Sequence, residues 1–389
     1  MLNQIYQLKT QTAGVLVIKN NRMTENFDVV IIGGGPAGAA AAITLGRYTK
    51  LKVAIIEKAE FDDYRAGESV SPSIFTMLAY LGIERPQLEN VHLPSYAHAA
   101  AWGSTELIVR DLLFTGQGNG LHLDRQKFDT LLLTEATNRG VIVYQPASLV
   151  EINHDGDWQI EIITNGNELL LNSRYLIDCS GKIAVIVKMK QCRVHKEDSL
   201  IGLYAYYNVP DGLVLEQKTV LETTLNGWYY MTPLPGKKVA IAFITDADIL
   251  KGLDLNNPDS WLSHGMGTLH IAQTLRHLNT PLAFKHYAIH SRVALLPVKD
   301  NWTAAGDAAT CYDPISSMGI GNAISSGITS ARVAEGFFNG NFEVAQSYSR
   351  SLLDHFETYL KMRHGFYTAE NRWPDSLFWQ RRSKNPLER

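Results

Sequence analysis

The chain has 389 residues, 45% hydrophobic and 19% charged, the balance of a globular protein and not of a disordered or fibrous one. Its 36 Lys and Arg against 39 Asp and Glu leave a formal charge of −3, without the basic excess of a nucleic-acid binder. Three scattered cysteines, Cys179, Cys192 and Cys311, argue against a disulfide scaffold or zinc knuckle, and no apolar run reaches the roughly 18 residues of a membrane span. A cytoplasmic protein is expected, since the first residues also lack a cleavable signal pattern. Residues 1–26 read as an N-terminal extension, with Met23 an alternative start. From Phe27 the order is strand, glycine turn, helix, strand: a β-branched run over 28–32, an alanine-rich helix over 37–45 and a second parallel strand over 53–56. Helices follow around 73–81, ending at Gly82, and over 126–139, ending at Gly140, with a strand over 141–144. Alternation over 158–162, an Asn165-Gly166 turn and a run over 168–171 predict a hairpin, and 174–179 reads as a further strand. Alternating strands over 200–209, 228–232 and 238–245 dominate the next hundred residues, with helical segments between 257 and 278 capped by Asn257-Pro258. A strand–helix signature returns at 301–332, so a second unit is inserted into the first.

The first chemical motif is Gly33-Gly34-Gly35-Pro36-Ala37-Gly38, a G-x-G-x-x-G that follows a strand and opens a helix. In such a turn Gly33 makes the bend, Gly35 lets the backbone approach a pyrophosphate, and Gly38 allows close packing. The helix start, with Pro36 and Ala37, offers free N–H groups to the anion. Glu57, followed by Lys58, closes the second strand 19 residues beyond the last glycine, where an acid accepts ribose hydroxyls. This fingerprint alone does not separate FAD from NAD.

Residues 303–323, TAAGDAATCYDPISSMGIGNA, make that separation, because they resemble the distal FAD motif of the p-hydroxybenzoate-hydroxylase class of flavoproteins. The resemblance implies that Asp307 of Gly306-Asp307 accepts from the ribityl chain and that Pro314 lies against the isoalloxazine. It also implies that Gly319-Ile320-Gly321 opens a helix over about 320–337 toward the flavin pyrimidine, where a helix N-terminus stabilises negative charge. Arg125, in an R-x-x-F-D context, is implied to reach the FAD phosphates or flavin edge, the alternative being a solvated helix-start arginine. Asp178-Cys179-Ser180-Gly181 resembles the strand end beside the dinucleotide. With no second complete fingerprint, electrons are expected from transiently bound NAD(P)H or a separate reductase, with O2 as co-substrate.

Arg65-Ala66-Gly67-Glu68-Ser69-Val70-Ser71-Pro72 resembles the R-x-G-E-[ST]-x-x-P segment that lies along the flavin in tryptophan halogenases and their relatives. Those halogenases carry a lysine eight residues after the Glu, where this chain has Thr76. Their W-x-W-x-I-P segment is here Trp228-Tyr229-Tyr230-Met231-Thr232-Pro233. The sequence GWYYMTPLPGKKVAIAFITDADIL and the tail RWPDSLFWQRR resemble the LodB-like flavoprotein maturases of cysteine tryptophylquinone-dependent amino-acid oxidases, glycine-oxidase maturases among them, over roughly residues 27–382.

That resemblance implies an α/β protein with a three-layer, Rossmann-like FAD-binding domain of the p-hydroxybenzoate-hydroxylase type and an inserted β-sheet substrate domain. The expected division is 27–90, 117–182 and 292–350 for noncovalent FAD, 91–116 and 183–291 for the substrate domain, and 351–389 for a C-terminal helix and tail. The implied activity is FAD-dependent monooxygenation of a peptidyl tryptophan in the precursor of a quinone-dependent amino-acid oxidase. A small-molecule aromatic hydroxylase, a halogenase relative, a geranylgeranyl-reductase-like enzyme and an FAD-bound chaperone are the alternatives. The expected cofactor set is Gly33, Gly35, Pro36, Ala37, Gly38, Glu57, Lys58, Arg65, Ser69, Arg125, Asp307, Pro314, Gly319 and Ile320. Glu68, Ser69, Pro314, Trp228 and Tyr230 are flavin-proximal candidates, the two aromatics sharing one strand face in the core or in the pocket. No metal site is expected, because His286 and His290 lie on a strand-like segment without acidic partners. From 361 to 389, seven Lys or Arg against three Asp or Glu form a basic tail, either a solvated face or, with Trp373, Phe378 and Trp379, an interface for an acidic partner.

Overall fold

The computed structural model describes residues 23–116 and 118–384, so the expected extension up to residue 22 and the tail beyond 384 lie outside the described residues. The strand Met23–Ile32 is the middle of the first sheet. Its fully buried Val29, Val30 and Ile31 leave no face for water, as parallel pairing on both sides requires. Val53–Ile56 pairs with it in parallel on one side (Val29↔Val53, Ile32↔Ile56) and Asn167–Asp178 on the other (Val29↔Tyr175, Ile32↔Asp178). Ile142–Tyr144 extends the sheet beyond Val53–Ile56, and Trp302–Ala304 joins in parallel beside Asn167–Asp178. A strand from far down the chain thus completes the sheet begun at its start.

The helix Pro36–Tyr48 covers this sheet with Ala39 to Ala42, all fully buried. The long helix Gly319–Asn339 crosses it so closely that a Cβ on Gly327 would stand 2.2 Å from the Ala37 carbonyl oxygen. Where the sequence suggested separate strands over 168–171 and 174–179, the chain forms one strand, Asn167–Asp178. The polar pair that interrupts the alternation is tied in place: Asn172 Nδ2 donates to Asn26 Oδ1 (3.0 Å) and Ser173 Oγ to the Tyr175 carbonyl (2.6 Å).

The second sheet runs, in spatial order, Ala283–Ala288, Leu200–Asn208, Lys238–Asp246, Gly227–Leu234, Lys218–Thr224, Ala97–Ala101 and Ile108–Asp111. Period-2 alternation divides its side chains. Tyr207, Tyr229 and Phe243 pack with Trp261, Ile271 and Leu275 of the helices Pro258–Met266 and Ile271–Leu275. Tyr204, Tyr206, Trp228 and Ile244 form the other cluster, with Tyr367, Phe378 and Trp379. Asn257 caps its helix as expected, accepting from Asp259 N–H at 2.8 Å.

The C-terminal segment corrects the sequence reading. The boundary placed at 350/351 falls inside one helix, Glu343–Thr368. The tail that follows is neither a solvated basic face nor an open aromatic one. Phe378 and Trp379 are buried, while Arg382 and Arg381 close on Asp246 at 2.6 and 2.8 Å and Arg381 also on Asp248 at 2.7 Å. Burial alone would raise the Asp246 carboxyl, but hydrogen bonds and charge from Arg382 and Arg381 outweigh it and hold the group below its ordinary value. Among the described residues, Arg363, Arg372, Arg381 and Arg382 are paired with carboxylates of the same chain, while Lys361 and Lys384 stay exposed.

Candidate functional site

A cleft of about 350 Å3 lies where the glycine turn, the segment 65–69, the helix Gly319–Asn339 and the second sheet meet. The three glycines of the turn behave differently. Gly33 has φ +100° and a Cβ there would stand 2.2 Å from the Cys179 carbonyl oxygen; one on Gly38 would stand 1.8 Å from that of Gly33. Both positions are closed by packing. Gly35, at φ −65°, is unstrained, and its Cβ would meet nothing within 4 Å because it faces the cleft. The helix Pro36–Tyr48 starts there without a side-chain cap, so its first N–H groups are left for an anion. A cradle that only a side chain would fill, at the positive end of a helix, fits a dinucleotide pyrophosphate.

Glu57 is buried behind the turn and accepts from Gly34 N–H (2.6 Å) and Ala59 N–H (2.7 Å), with Arg65 3.9 Å away. Lys58 is exposed and does not line the cleft. Arg65 and Arg125 both reach the fully buried Asp129, at 3.1 and 2.9 Å, and Arg125 also donates to the Ala66 carbonyl. Asp129 therefore holds two guanidinium groups at the cleft wall. Glu68 lies next to them, taking hydrogen bonds from Tyr206 Oη (2.8 Å) and Gly67 N–H (2.9 Å). Its burial raises its pKa, against the lowering effect of the Tyr206 bond and the Arg125 charge. Ser69 Oγ accepts from Thr219 Oγ1 at 3.2 Å.

On the opposite wall Asp307 stands half exposed, with Lys182 Nζ 4.0 Å away. Pro314 is fixed by its neighbour Asp313, whose buried carboxylate accepts from Ile315 N–H (3.0 Å), Tyr367 Oη (2.7 Å) and Arg363 Nε (3.2 Å). Gly319 and Ile320 begin the long helix at the cleft, and a Cβ on Gly319 would also meet open space.

Gly35, Pro36, Ala37, Arg65, Glu68, Ser69, Arg125, Asp307, Pro314, Gly319, Ile320 and Tyr230 thus line one cleft, whereas Gly33, Gly38 and Glu57 support the turn from behind. Trp228 does not belong there. It is fully buried, with Nε1 donating to Tyr367 Oη at 3.1 Å and its ring packed edge-on to Trp102. One strand face holds both aromatics, but only the Tyr230 end reaches the cleft. Sequence reasoning passed over Tyr204, Lys182, Tyr312 and Ile289, which also line it. Tyr204 and Tyr206 alternate along Leu200–Asn208, a signal present in the sequence but shared with any core strand. His286 is exposed and faces Asn256 Oδ1 at 2.5 Å, and among the described residues no group of His, Cys, Asp and Glu is gathered to hold a metal. None of their helices is long and apolar enough to cross a membrane.

Residues 26–333 match the FAD binding domain family. Over 363 residues the chain is 32% identical to the putative FAD-dependent oxidoreductase LodB of Marinomonas mediterranea, covering 92% of this chain and 97% of that protein. The myxobacterial chondrochloren halogenase CndH superposes with a TM-score of 0.84 at 20% identity, over 92% of this chain and 86% of its own. The peptidyl tryptophan dihydroxylase QhpG, described as essential for tryptophylquinone cofactor biogenesis, superposes with a TM-score of 0.73 at 21% identity, over 92% and 78%. At these identities the structural likenesses show the fold.

Proposed function

The chain belongs to the FAD binding domain family, and from that membership we propose that it is a monooxygenase acting on a tryptophan side chain within a precursor protein, in the biogenesis of a tryptophylquinone cofactor. Bound FAD, once reduced, supplies activation of O2 and electrophilic transfer of oxygen to an electron-rich ring. NAD(P)H or a separate reductase supplies the electrons. The reaction belongs in a reducing cytoplasm, where Cys179, Cys192 and Cys311 stay free thiols.

The chain's own residues then bind, orient and exclude water. Gly35, Pro36 and Ala37 would receive the pyrophosphate, with Glu57 holding the turn behind them, Arg65 and Arg125 beside the phosphates and Asp307 at the ribityl chain. Pro314, Gly319 and Ile320 would border the flavin ring, in a domain made of 27–90, 117–182 and 292–350. The sheet over 91–116 and 183–291 contributes Tyr204 and Tyr230, whose hydroxyls burial keeps protonated. Glu68, whose pKa burial raises, would stand at the cleft wall accepting from Tyr206 and Gly67 beside Arg125.

What favours oxygenation over halogenation is a sequence feature: the position eight residues after Glu68, a lysine in the halogenases this segment resembles, is Thr76. It offers no ammonium to a halogen electrophile and lies exposed on the helix Ile74–Tyr80 outside the cleft. The halogenase reading keeps two supports, the fold shared with CndH and Lys182 in the cleft, whose Nζ donates to the Ala288 carbonyl and lies 4.0 Å from Asp307. The link to a peptidyl tryptophan rests on the maturase-like segments GWYY…FITDAD and FWQRR and on the QhpG fold. Co-expressing a candidate precursor oxidase with and without this protein tests it. A precursor tryptophan should gain the mass of one or more oxygen atoms only when the protein is present; an unmodified precursor beside FAD-replete protein would remove the reading.

A further inference from the structure

From residue 182 to residue 196 the chain carries five Lys or Arg and no Asp or Glu. This stretch leaves the cleft at Gly181–Ile183, forms the short helix Val185–Met189, and returns as the strand Val194–Lys196, antiparallel to Arg292–Ala294. Its cations are used unequally. Lys182 lines the cleft, and Lys190 is held 3.0 Å from His154 Nδ1 and 4.8 Å above the Trp158 ring. Lys188, Arg193 and Lys196 are exposed, and among the described residues no carboxylate lies within ion-pair distance of them. Two of its cations, Lys182 and Lys196, act on His290, the neighbour of the cleft-lining Ile289. His290 is depressed to about 4, by burial first and then by the charges of Lys196, Lys182 and Arg292.

Apolar side chains are interleaved with these cations in the open. Ile183 is 63% exposed beside Lys182, and Val194, Leu295 and Leu296 are 39%, 41% and 43% exposed. Leu295 N–H donates to the Arg193 carbonyl at 2.9 Å, which sets Leu295 beside Val194. A solvated basic face has no use for exposed leucines, whereas apolar contacts rimmed by charge mark protein contact surfaces.

We propose that this rim of the cleft is the docking surface for the protein substrate, and that it takes an acidic segment bearing leucine-like side chains, so that the segment's neighbouring tryptophan is delivered to the cleft. The proposal rests on the reading of the substrate as a peptidyl tryptophan. Unpaired cations attract an acidic partner and set its register, while the exposed aliphatic groups supply contact area; a free aromatic acid would need neither.

The test is a triple charge reversal, Lys188→Glu, Arg193→Glu and Lys196→Glu, in the full-length FAD-loaded protein. Binding is measured against the candidate precursor oxidase, against a synthetic Glu/Leu peptide, and against a Lys/Leu peptide of equal length. Wild type should bind the precursor and the acidic peptide, and the variant should bind both about tenfold or more weakly at low salt, the difference shrinking as salt screens the charges. FAD content should be unchanged. A variant that binds the acidic peptide as well as wild type does would overturn the proposal even if the precursor is modified. Acidic peptide bound through these residues beside an unmodified precursor would instead remove the functional reading and leave the surface standing. Equal loss of NADPH binding, or of binding to phosphatidylserine vesicles, would reassign the rim to a small anion or a lipid surface and so overturn it.

Discussion

Gly35 offers the sharpest perturbation of the cofactor site, because its backbone tolerates a side chain and its surroundings leave room for one. At φ −65° a valine is unstrained, and its Cβ meets nothing within 4 Å. Losing glycine at this N-cap should cost apo-protein stability only about 1 kcal/mol. The isopropyl group would instead occupy the place of the pyrophosphate. Pushing that anion off the helix N-terminus forfeits roughly 1 kcal/mol of helix-end attraction and two charge-assisted hydrogen bonds of about 1.5 kcal/mol each. The sum, about 4 kcal/mol, weakens FAD binding near a thousandfold. Gly35→Val should therefore purify folded and colourless. Flavin absorbance per polypeptide and titration of the apo-protein with FAD read the loss, while a thermal melt reads the fold. Gly38→Ala is the contrasting variant: its Cβ would stand 1.8 Å from the Gly33 carbonyl oxygen, so it should damage folding itself. A Gly35→Val protein with a full FAD complement would refute the site.

Asp246→Asn should lower stability by about 3 kcal/mol, about 4 °C in Tm for a chain of this length, since it leaves the buried Arg382 uncompensated. Because Asp246 is held below its ordinary pKa, its contribution is present above the unfolded value of 3.8 and is lost as pH falls through the lower folded value. Melts of the two proteins should therefore converge in acid and separate at neutral pH. Trp228→Ala should cost about 3–5 kcal/mol in a melt through cavity formation, whereas Tyr230→Phe should leave Tm nearly unchanged and alter the bound-flavin spectrum or turnover; the reverse pattern would misplace both residues. With reduced FAD, O2, chloride or bromide and free tryptophan, mass spectrometry should find no halotryptophan, and enzyme-dependent product would restore the halogenase reading.

The Rossmann half of the fold is legible because each requirement is local. A β-branched strand, a glycine turn, an alanine helix and a strand ending in Glu57 stand in one unbroken run, and Val53–Ile56 is found where its apolar residues place it. The distal motif is legible through its Gly-Asp and Pro spacing, although nothing in spacing shows that Asp313 is what fixes Pro314. What escapes the sequence is the long-range pairing. Arg125 meets Asp129 within one helix turn, but Arg65 reaching the same Asp129, and Tyr206 reaching Glu68, join residues 64 and 138 positions apart that only the folded chain brings together. The tail misled for a related reason: composition counts its cations but cannot see that Asp246 and Asp248 await them. Trp228 and Tyr230 show the limit of periodicity, which assigns a face but not how far along that face the core gives way to the cleft.

The central claim is tested most directly by reconstitution with labelled oxygen. The FAD-loaded protein is reduced without air, mixed with purified precursor oxidase, exposed to 18O2, and the precursor is mapped by peptide mass spectrometry. The account predicts 18O on one precursor tryptophan, dependent on this protein and absent when free tryptophan replaces the precursor. Label on no peptide, while the reduced flavin reoxidises and a small aromatic compound is hydroxylated in its place, would contradict it.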